Sequence, residues 1–185
     1  MFTIKAMVNH NLNILVIVLR MILMNNIAIY KEKNFSKENI IIFGIIIIIV
    51  VIICIAVIQQ YGANFFLIII FLFNLFFLFG IMINFRQLNI ILTTEYIVVN
   101  YGLLKQQFMW NDINDCYLDD ASAIVYGGFG LRVASYKGKT RLVYNTVKSP
   151  RIVLSIKDGS FEEFVFSTKN PEEIIKIIEQ KIKNN

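Results

Sequence analysis

Four aspartates, Asp112, Asp115, Asp119 and Asp120, form the densest carboxylate group in the chain. Carboxylate oxygens are the ligands that Ca²⁺ and Mg²⁺ prefer, so this group is a candidate metal site. On a strand, however, Asp115 and Asp119 share one face while Asp112 and Asp120 lie on the other. The twelve-residue pattern of a calcium loop is also missing. We therefore predict solvated turn residues, with no metal and no cofactor.

The sequence contains few residues that could act as nucleophiles or zinc ligands. His10 is the only histidine, so neither zinc ligation by histidines nor a serine and histidine pair is expected. Cys116 has no second cysteine or histidine near it and is predicted to be a small buried residue. Because no nucleophile and base can be paired, we do not expect an enzyme.

A glycine-rich run is the feature that most resembles a phosphate loop. The run consists of Tyr126, Gly127, Gly128, Phe129 and Gly130. It enters a predicted strand, lacks a following Lys-Ser or Lys-Thr, and precedes no helix that could hold phosphate. We predict that the glycines permit a bulge or a sharp strand entry, with Phe129 packed inward and Arg132 paired with a carboxylate.

A basic region occupies residues 137–151, where five positive side chains occur without any acid: Lys137, Lys139, Arg141, Lys148 and Arg151. Beside an anionic membrane each such charge is attracted by roughly 1 kcal/mol, which makes the region a candidate contact for lipid or for a partner. The formal net charge of +5 is otherwise spread along the chain. Without a concentrated basic tract, no nucleic-acid partner is expected.

The predicted domain after residue 86 is preceded by two uncharged apolar segments, residues 40–58 and 65–83. Each is 19 residues long, and only six residues separate them. As a helix, each would span roughly 28 Å, close to the hydrocarbon thickness of a bilayer. So short a link leaves both helix ends at residues 59 and 65 on one side. We predict a transmembrane hairpin within residues 31–86.

Charge asymmetry orients this hairpin. Lys31, Lys33 and Lys37 precede it and Arg86 follows it, whereas the connecting loop carries no charge. The positive-inside rule therefore predicts an integral cell-membrane protein whose N-terminal flank and C-terminal domain are cytoplasmic. Cys54 lies in the first span and Cys116 in the predicted domain, so no disulfide is expected.

Three residues are candidates for packing inside the hairpin. An antiparallel register places Gly44 and Gly80 at similar depth, where they either permit close backbone approach or are merely tolerated. Asn74 lies mid-span, where an amide requires a partner. We predict that this partner lies across the hairpin or across a dimer interface.

Residues 1–30 allow three interpretations. Residues 12–24 are mostly apolar but short for a span, and a central Arg20 would cost roughly 2.5 to 3.5 kcal/mol to insert. The segment is an interfacial helix, an imperfect third crossing, or sequence upstream of a true start at Met21 or Met24. These alternatives stay open.

After Arg86 the apolar runs shorten to strand length. Eight strands are predicted, at residues 88–92, 96–100, 107–110, 113–118, 130–134, 141–144, 152–156 and 161–167. Asp158-Gly159 predicts a type I′ hairpin turn, and Asn100-Tyr101-Gly102 another turn.

The chain then closes with a helix over residues 171–183 that has Asn170 as N-cap and isoleucines on one face. Residues 87–185 therefore predict a small barrel or a pair of sheets plugged by that helix. The predicted core includes Trp110, Ile113, Phe129, Leu154, Ile156, Ile174 and Ile178.

Several runs resemble the bacterial pleckstrin-homology-like (PH-like) domain of small membrane proteins. They are LLKQQFMWNDI from residue 103, YGGFGLR from 126, VYNT from 143, RIVLSIKDGS from 151 and FSTKNPEEIIKII from 166, with Trp110 in the first. The resemblance implies a seven-stranded bent barrel with a C-terminal helix. The chain departs from the family at Phe129, where Trp is expected, and in a longer loop that carries Lys137 and Lys139.

The sequence therefore favours a non-enzymatic, membrane-anchored PH-like module that binds a protein partner or associates with itself. The alternative is a module that senses anionic lipid through the basic region. The expected partners are the lipid bilayer and a protein or a second copy, with no nucleic acid.

Overall fold

The computed structural model describes residues 28–62, 64–122 and 124–184. His10 and almost all of the ambiguous N-terminal segment lie outside the described residues. Within them, two long helices precede a region of two β-sheets, and one further helix closes the chain.

The two long helices are α1 (Lys37–Tyr61) and α2 (Phe65–Phe85). The Ser36 hydroxyl caps α1 by accepting a hydrogen bond from the Asn39 N–H at 3.2 Å, and Asn64 caps α2 in the same manner. The helices extend over roughly 37 and 31 Å. Both are long and apolar enough to span a membrane, and their most apolar windows have no buried residues.

Strand β1 (Ala28–Phe35) lies before the helices and pairs antiparallel with β2 (Gln87–Thr93), which lies after them. Phe35 is opposite Gln87, so the helical hairpin occupies the place of a β-turn between two adjacent strands. No sequence pattern indicated β1, and residues 31–35 were predicted to flank the hairpin. These residues instead belong to the sheet.

The first sheet has the order β1-β2-β3-β4, and the second has the order β5-β8-β9-β7-β6. Only β7 and β9 pair in parallel among the described strands. The two sheets do not close into a barrel in the described part of the chain. The predicted alternative of a pair of sheets is therefore confirmed, and the bent barrel implied by the resemblance is wrong. The remaining strands are β3 (Tyr96–Tyr101), β4 (Leu104–Met109), β5 (Ile113–Leu118), β6 (Gly130–Tyr136), β7 (Lys139–Asn145), β8 (Arg151–Ile156) and β9 (Glu163–Ser167).

The main core lies between the sheets and is closed by α3 (Pro171–Lys183). It contains six of the seven predicted core residues, namely Trp110, Ile113, Leu154, Ile156, Ile174 and Ile178. Phe129 is the exception, because its ring meets Phe43 of α1. Asn170 precedes α3 as predicted, but its side chain does not cap the helix.

The turns follow the predictions in part. Gly102, with φ of 49°, forms the predicted turn, and a Cβ there would collide with Asn84. Strands β8 and β9 form the predicted hairpin, but a six-residue loop connects them. Gly159 in this loop lacks positive φ, so the prediction of a type I′ turn is wrong. Lys137 and Gly138 instead form a tight two-residue turn with φ of 51° and 81°, where a longer loop was expected.

The glycines and Asn74 of the hairpin each follow one of the open alternatives or a local one. An added Cβ at Gly44 or Gly80 would meet no described atom within 4 Å outside its own helix, so these glycines are tolerated and do not permit a close approach between the two helices. The Asn74 amide donates to the carbonyl of Ile70 at 2.9 Å, within its own helix. This local bond replaces the predicted one across the hairpin, whereas a partner across a dimer interface stays a prediction.

Candidate functional site

The base of the hairpin is fastened to the first sheet by hydrogen bonds. The Ser36 N–H donates to the Arg86 carbonyl at 3.0 Å, and the Asn39 amide donates to the Phe85 carbonyl at 3.0 Å. The Asn84 side chain accepts from the Leu103 N–H at 2.9 Å, which ties α2 to the β3–β4 turn. The helices and the sheet therefore meet at a fixed junction and not through a free linker.

Strand β1 also connects the junction to the second sheet through two buried polar side chains. The Glu32 carboxylate accepts from the Thr168 hydroxyl at 2.6 Å and from the Lys169 N–H at 2.9 Å. The Asn34 amide donates to the hydroxyls of Thr146 at 3.3 Å and Ser149 at 3.1 Å. A strand with charged residues is thus held by specific hydrogen bonds to the segments that flank strands of the second sheet.

A buried polar network lies on the face of the second sheet that turns away from the main core. Along β7, Leu142 and Tyr144 enter the core, so the alternation of a strand directs Arg141 to the opposite face. The segment between β5 and β6 covers that face. The polar network consists of Tyr117, Asp119, Tyr126, Lys139, Arg141, Arg151 and Glu163.

Glu163 is one acidic centre of the polar network. Its fully buried carboxylate accepts from Arg141 Nε at 2.6 Å, from Lys139 Nζ at 2.6 Å and from the Tyr117 hydroxyl at 2.7 Å. Burial alone would raise the pKa of this carboxyl. The hydrogen bonds from Lys139, Tyr117 and Arg141 outweigh burial and lower the pKa below its ordinary value of 4.5.

Asp119 is the other acidic centre, and it fastens the covering segment. Its buried carboxylate accepts from Arg151 Nε at 2.6 Å, from Arg141 at 3.1 Å and from the Tyr126 hydroxyl at 3.0 Å. Burial raises the pKa of Tyr126 to about 12, so the phenol keeps its proton at neutral pH. The side chains of the polar network therefore keep fixed protonation states near neutral pH. We call the network a structural clamp because it holds the covering segment against the second sheet.

This network changes the interpretation of the basic region. Arg141 is buried in ion pairs, Arg151 is mostly buried in one, and Lys139 contacts Glu163. Lys137 pairs with Asp120 at 2.6 Å, while Lys148 lies 4.0 Å from Glu38 of α1. The region is acid-free in sequence, but β9, α1 and the segment that follows β5 supply acids in space. It does not form one continuous basic surface.

Two further predictions about side chains are corrected, those for Asp119 and Arg132. Asp119 is buried, not solvated, although Asp112, Asp115 and Asp120 are exposed as predicted. In residues 28–62, 64–122 and 124–184, no three His, Cys, Asp or Glu side chains lie close enough together to hold a metal ion. Arg132 donates to the carbonyls of Gly127 and Phe129, both at 2.7 Å, and not to a carboxylate.

The glycine-rich run has the predicted backbone role. Gly127, Gly128 and Gly130 have φ values of 65°, 104° and 100°, which favour glycine strongly. The Gly128 carbonyl accepts from the Asn145 amide at 2.7 Å. The run therefore turns the chain into β6 and delivers Phe129 to α1.

A cleft of about 690 Å³ opens where this run meets α1. Its walls are Ile42 of α1, Phe129, and the loop between β7 and β8, and its rim carries Lys148 and Arg151. No sequence pattern indicated this cleft, because its walls come from three separate parts of the chain. The polar network and the cleft share Asp119 and Arg151.

Comparison of the chain with family models, with curated proteins and with solved structures gives no match. The resemblance to PH-like domains therefore rests on the sequence motifs quoted above. The two apolar helices and the two-sheet region agree with a hairpin followed by a β domain.

Proposed function

We propose that this chain is a membrane-anchored, non-enzymatic interaction module built on a PH-like β domain. One observation supports the proposal above all others: the apolar hairpin joins two directly paired strands, β1 and β2. An anchor inserted in this way fixes the β domain against the membrane surface. A domain held so rigidly is suited to presenting a binding surface to membrane partners.

We also propose that the β domain faces the cytoplasm, because Lys31, Lys33, Lys37 and Arg86 flank the hairpin on the domain side. Since β1 and β2 pair, the two flanks lie on one side together. We expect a cysteine at position 61 to react with an impermeant thiol reagent added to intact cells. A cysteine at position 160 should react only after lysis.

The native thiols do not obscure this labelling experiment. Cys54 lies within α1, and Cys116 is buried, which raises the pKa of its thiol. The parent chain is therefore the blank for both variants. Labelling of position 160, and not position 61, in intact cells would refute the cytoplasmic orientation.

Strand β6 is the best candidate for the binding surface. An unpaired strand edge offers N–H and C=O groups to another strand unless lysines, bulges or short length protect it. Edge strand β1 carries Lys31, Lys33 and an irregular register, β4 carries Lys105, and β5 is irregular. In the described residues β6 pairs regularly with β7 over seven residues and has no partner on its other side.

The β6 edge also lacks a guarding charge at its centre. Val133 is 68% exposed there. Arg132 turns back to the carbonyls of Gly127 and Phe129 and does not project as a guard. We infer that β6 pairs with an extended strand of a partner protein or of a second copy.

Replacing Val133 with Glu tests this edge. We expect Val133→Glu to reduce crosslinking to the partner or second copy roughly fivefold or more, since even 1 kcal/mol of charge desolvation has that effect. Crosslinking in native membranes followed by mass spectrometry measures it. Met109→Glu on the β4 edge, 47% exposed, is the matched control. Equal loss in both variants, or in neither, would contradict binding at β6.

A further inference from the structure

The cleft beside α1 lies where a membrane-embedded hairpin would leave the hydrocarbon. Ile42 forms one wall, and the apolar part of α1 begins at residue 40. On α1, Ile41 and Ile45 next to this wall are 60% and 52% exposed. The opening therefore faces the level of lipid headgroups and continues onto a surface that acyl chains would cover.

The donors in the cleft suit an anion. Lys148, 78% exposed, is the most accessible cation, and its nearest acidic partner, Glu38, is at the 4.0 Å limit of an ion pair. Thr146 and Ser149 also line the cleft, and both hydroxyl oxygens accept from the Asn34 amide. Because those oxygens already accept, their protons are directed toward other acceptors.

Arg151 contributes less to anion binding than its position in the cleft suggests. Its Nε is bonded to Asp119 at 2.6 Å, and a terminal nitrogen donates to the Ala121 carbonyl. The Arg151 charge is therefore partly compensated by Asp119, and two of its nitrogens already donate within the protein. Selection for a negative charge depends on Lys148.

Apart from Asn145, the remaining walls are apolar or glycine backbone, and include Phe129, Val147 and Pro150 beside Ile42. Phe129 is held in place by the edge contact of its ring with Phe43, with ring centres 6.3 Å apart. A site with a cation and two hydroxyls at one end and apolar walls toward α1 matches an amphipathic ligand. A small polar anion would leave those walls unused.

We propose that this cleft binds the headgroup of an anionic phospholipid, with the phosphate at Lys148, Thr146 and Ser149 and the first acyl carbons against Ile42 and Phe129. The site rests on the membrane anchoring proposed above and is independent of the β6 edge. It differs from the sequence-based hypothesis of lipid sensing, because Lys137 and Lys139 have no part in it. Lys137 is paired with Asp120 at 2.6 Å and is not among the residues that line the cleft.

The test uses the full chain in a mild nonionic detergent, titrated with phosphatidylglycerol or with phosphatidylcholine. Native mass spectrometry counts the lipids that remain bound. We expect one phosphatidylglycerol to be retained in preference to phosphatidylcholine. Lys148→Gln should weaken that retention about fivefold, the equivalent of roughly 1 kcal/mol for one lysine near anionic lipid. Lys137→Gln, which removes the same charge from another exposed turn, should leave it unchanged.

Three results would overturn the proposal. Equal retention of the two lipids by the parent chain would show that the site does not select an anionic headgroup. Equal weakening by Lys148→Gln and Lys137→Gln would show diffuse attraction and not a cleft. Displacement of the lipid by free glycerol phosphate at equal concentration would assign the site to a soluble phosphate. Each result leaves the membrane anchoring intact, since Cys labelling tests that separately.

Discussion

Replacing Glu163 with Gln should lower the free energy of unfolding by about 3 to 5 kcal/mol, as expected when one partner of a buried ion pair is removed. The substitution keeps the size of the side chain but removes its charge. Arg141, Lys139 and Tyr117 all donate to this carboxylate. A glutamine would turn an N–H₂ group toward some of these donors. The effect is large because Arg141 is buried and cannot recover its lost partner from water.

Trp110 provides the measurement, since it is the only tryptophan and is buried in the β domain. Its fluorescence during denaturant unfolding of the full chain in detergent gives the midpoint. Lys139→Gln is the control, because this lysine is half exposed and its ion pair should contribute less than about 1 kcal/mol. Equal effects of the two substitutions would show that the polar network is not a clamp.

The same carboxylate predicts a dependence on pH. Because folding lowers the pKa of Glu163, its contribution to stability is present above the ordinary value of 4.5 and is lost as pH falls through the lower folded value. The parent chain should therefore lose stability below about pH 4.5 more steeply than Glu163→Gln. Parallel acid curves for the two chains would contradict this assignment.

Replacing Ile174 with Ala should destabilise the protein by about 2 to 5 kcal/mol. Ile174 has no exposed surface, and it belongs to the main core that α3 closes. The smaller side chain leaves a cavity that the strands on either side can collapse into only partly. The full chain is required for the measurement, because a chain starting at Gln87 would lack β1 and its contacts through Glu32 and Asn34.

Lys176→Ala, on the exposed face of α3, is the matched control and should change stability by no more than about 0.5 kcal/mol. Both substitutions introduce alanine into the same helix, one at a buried position and one at an exposed position. An Ile174→Ala chain that unfolds at the same denaturant concentration as the Lys176→Ala chain would show that α3 does not seal the core.

Local patterns were sufficient to predict some elements from the sequence. Helix α3 has the predicted bounds, because Pro171, the first-turn acids and the isoleucine spacing all act within one element. The hairpin and the Gly102 turn followed from uninterrupted apolar length and from the need for positive φ.

Other features depend on distant partners and could not be predicted. Strand β1 reads as a charged linker, since Lys31, Glu32 and Lys33 give no apolar alternation. Its inward side chains are polar, and Glu32 is satisfied by Thr168 and Lys169, more than a hundred residues later. From the sequence alone these hydrogen bonds are not apparent, and burial of an unpaired Glu32 would be unfavourable.

The predictions for the basic region and for Phe129 were wrong for a similar reason. The basic region has no acid within its own residues, yet Glu163 and Asp119 reach it from β9 and from the end of β5. Phe129 was assigned to the core because an aromatic beside a strand usually packs inward, whereas α1 offers Phe43 as its neighbour. Sequence separation hides both contacts.

The position of the hairpin between β1 and β2 sets an order for folding. About fifty residues separate Phe35 from Gln87, so pairing these strands in a free chain would require closing a long loop. In the proposed membrane-anchored state, two helices that form and associate in the bilayer would bring the Ser36 N–H and the Arg86 carbonyl together first. Strand β1 would then stay unpaired until the hairpin has inserted. Insertion would therefore precede completion of the first sheet, and a chain that failed to insert would leave β2 as an open edge.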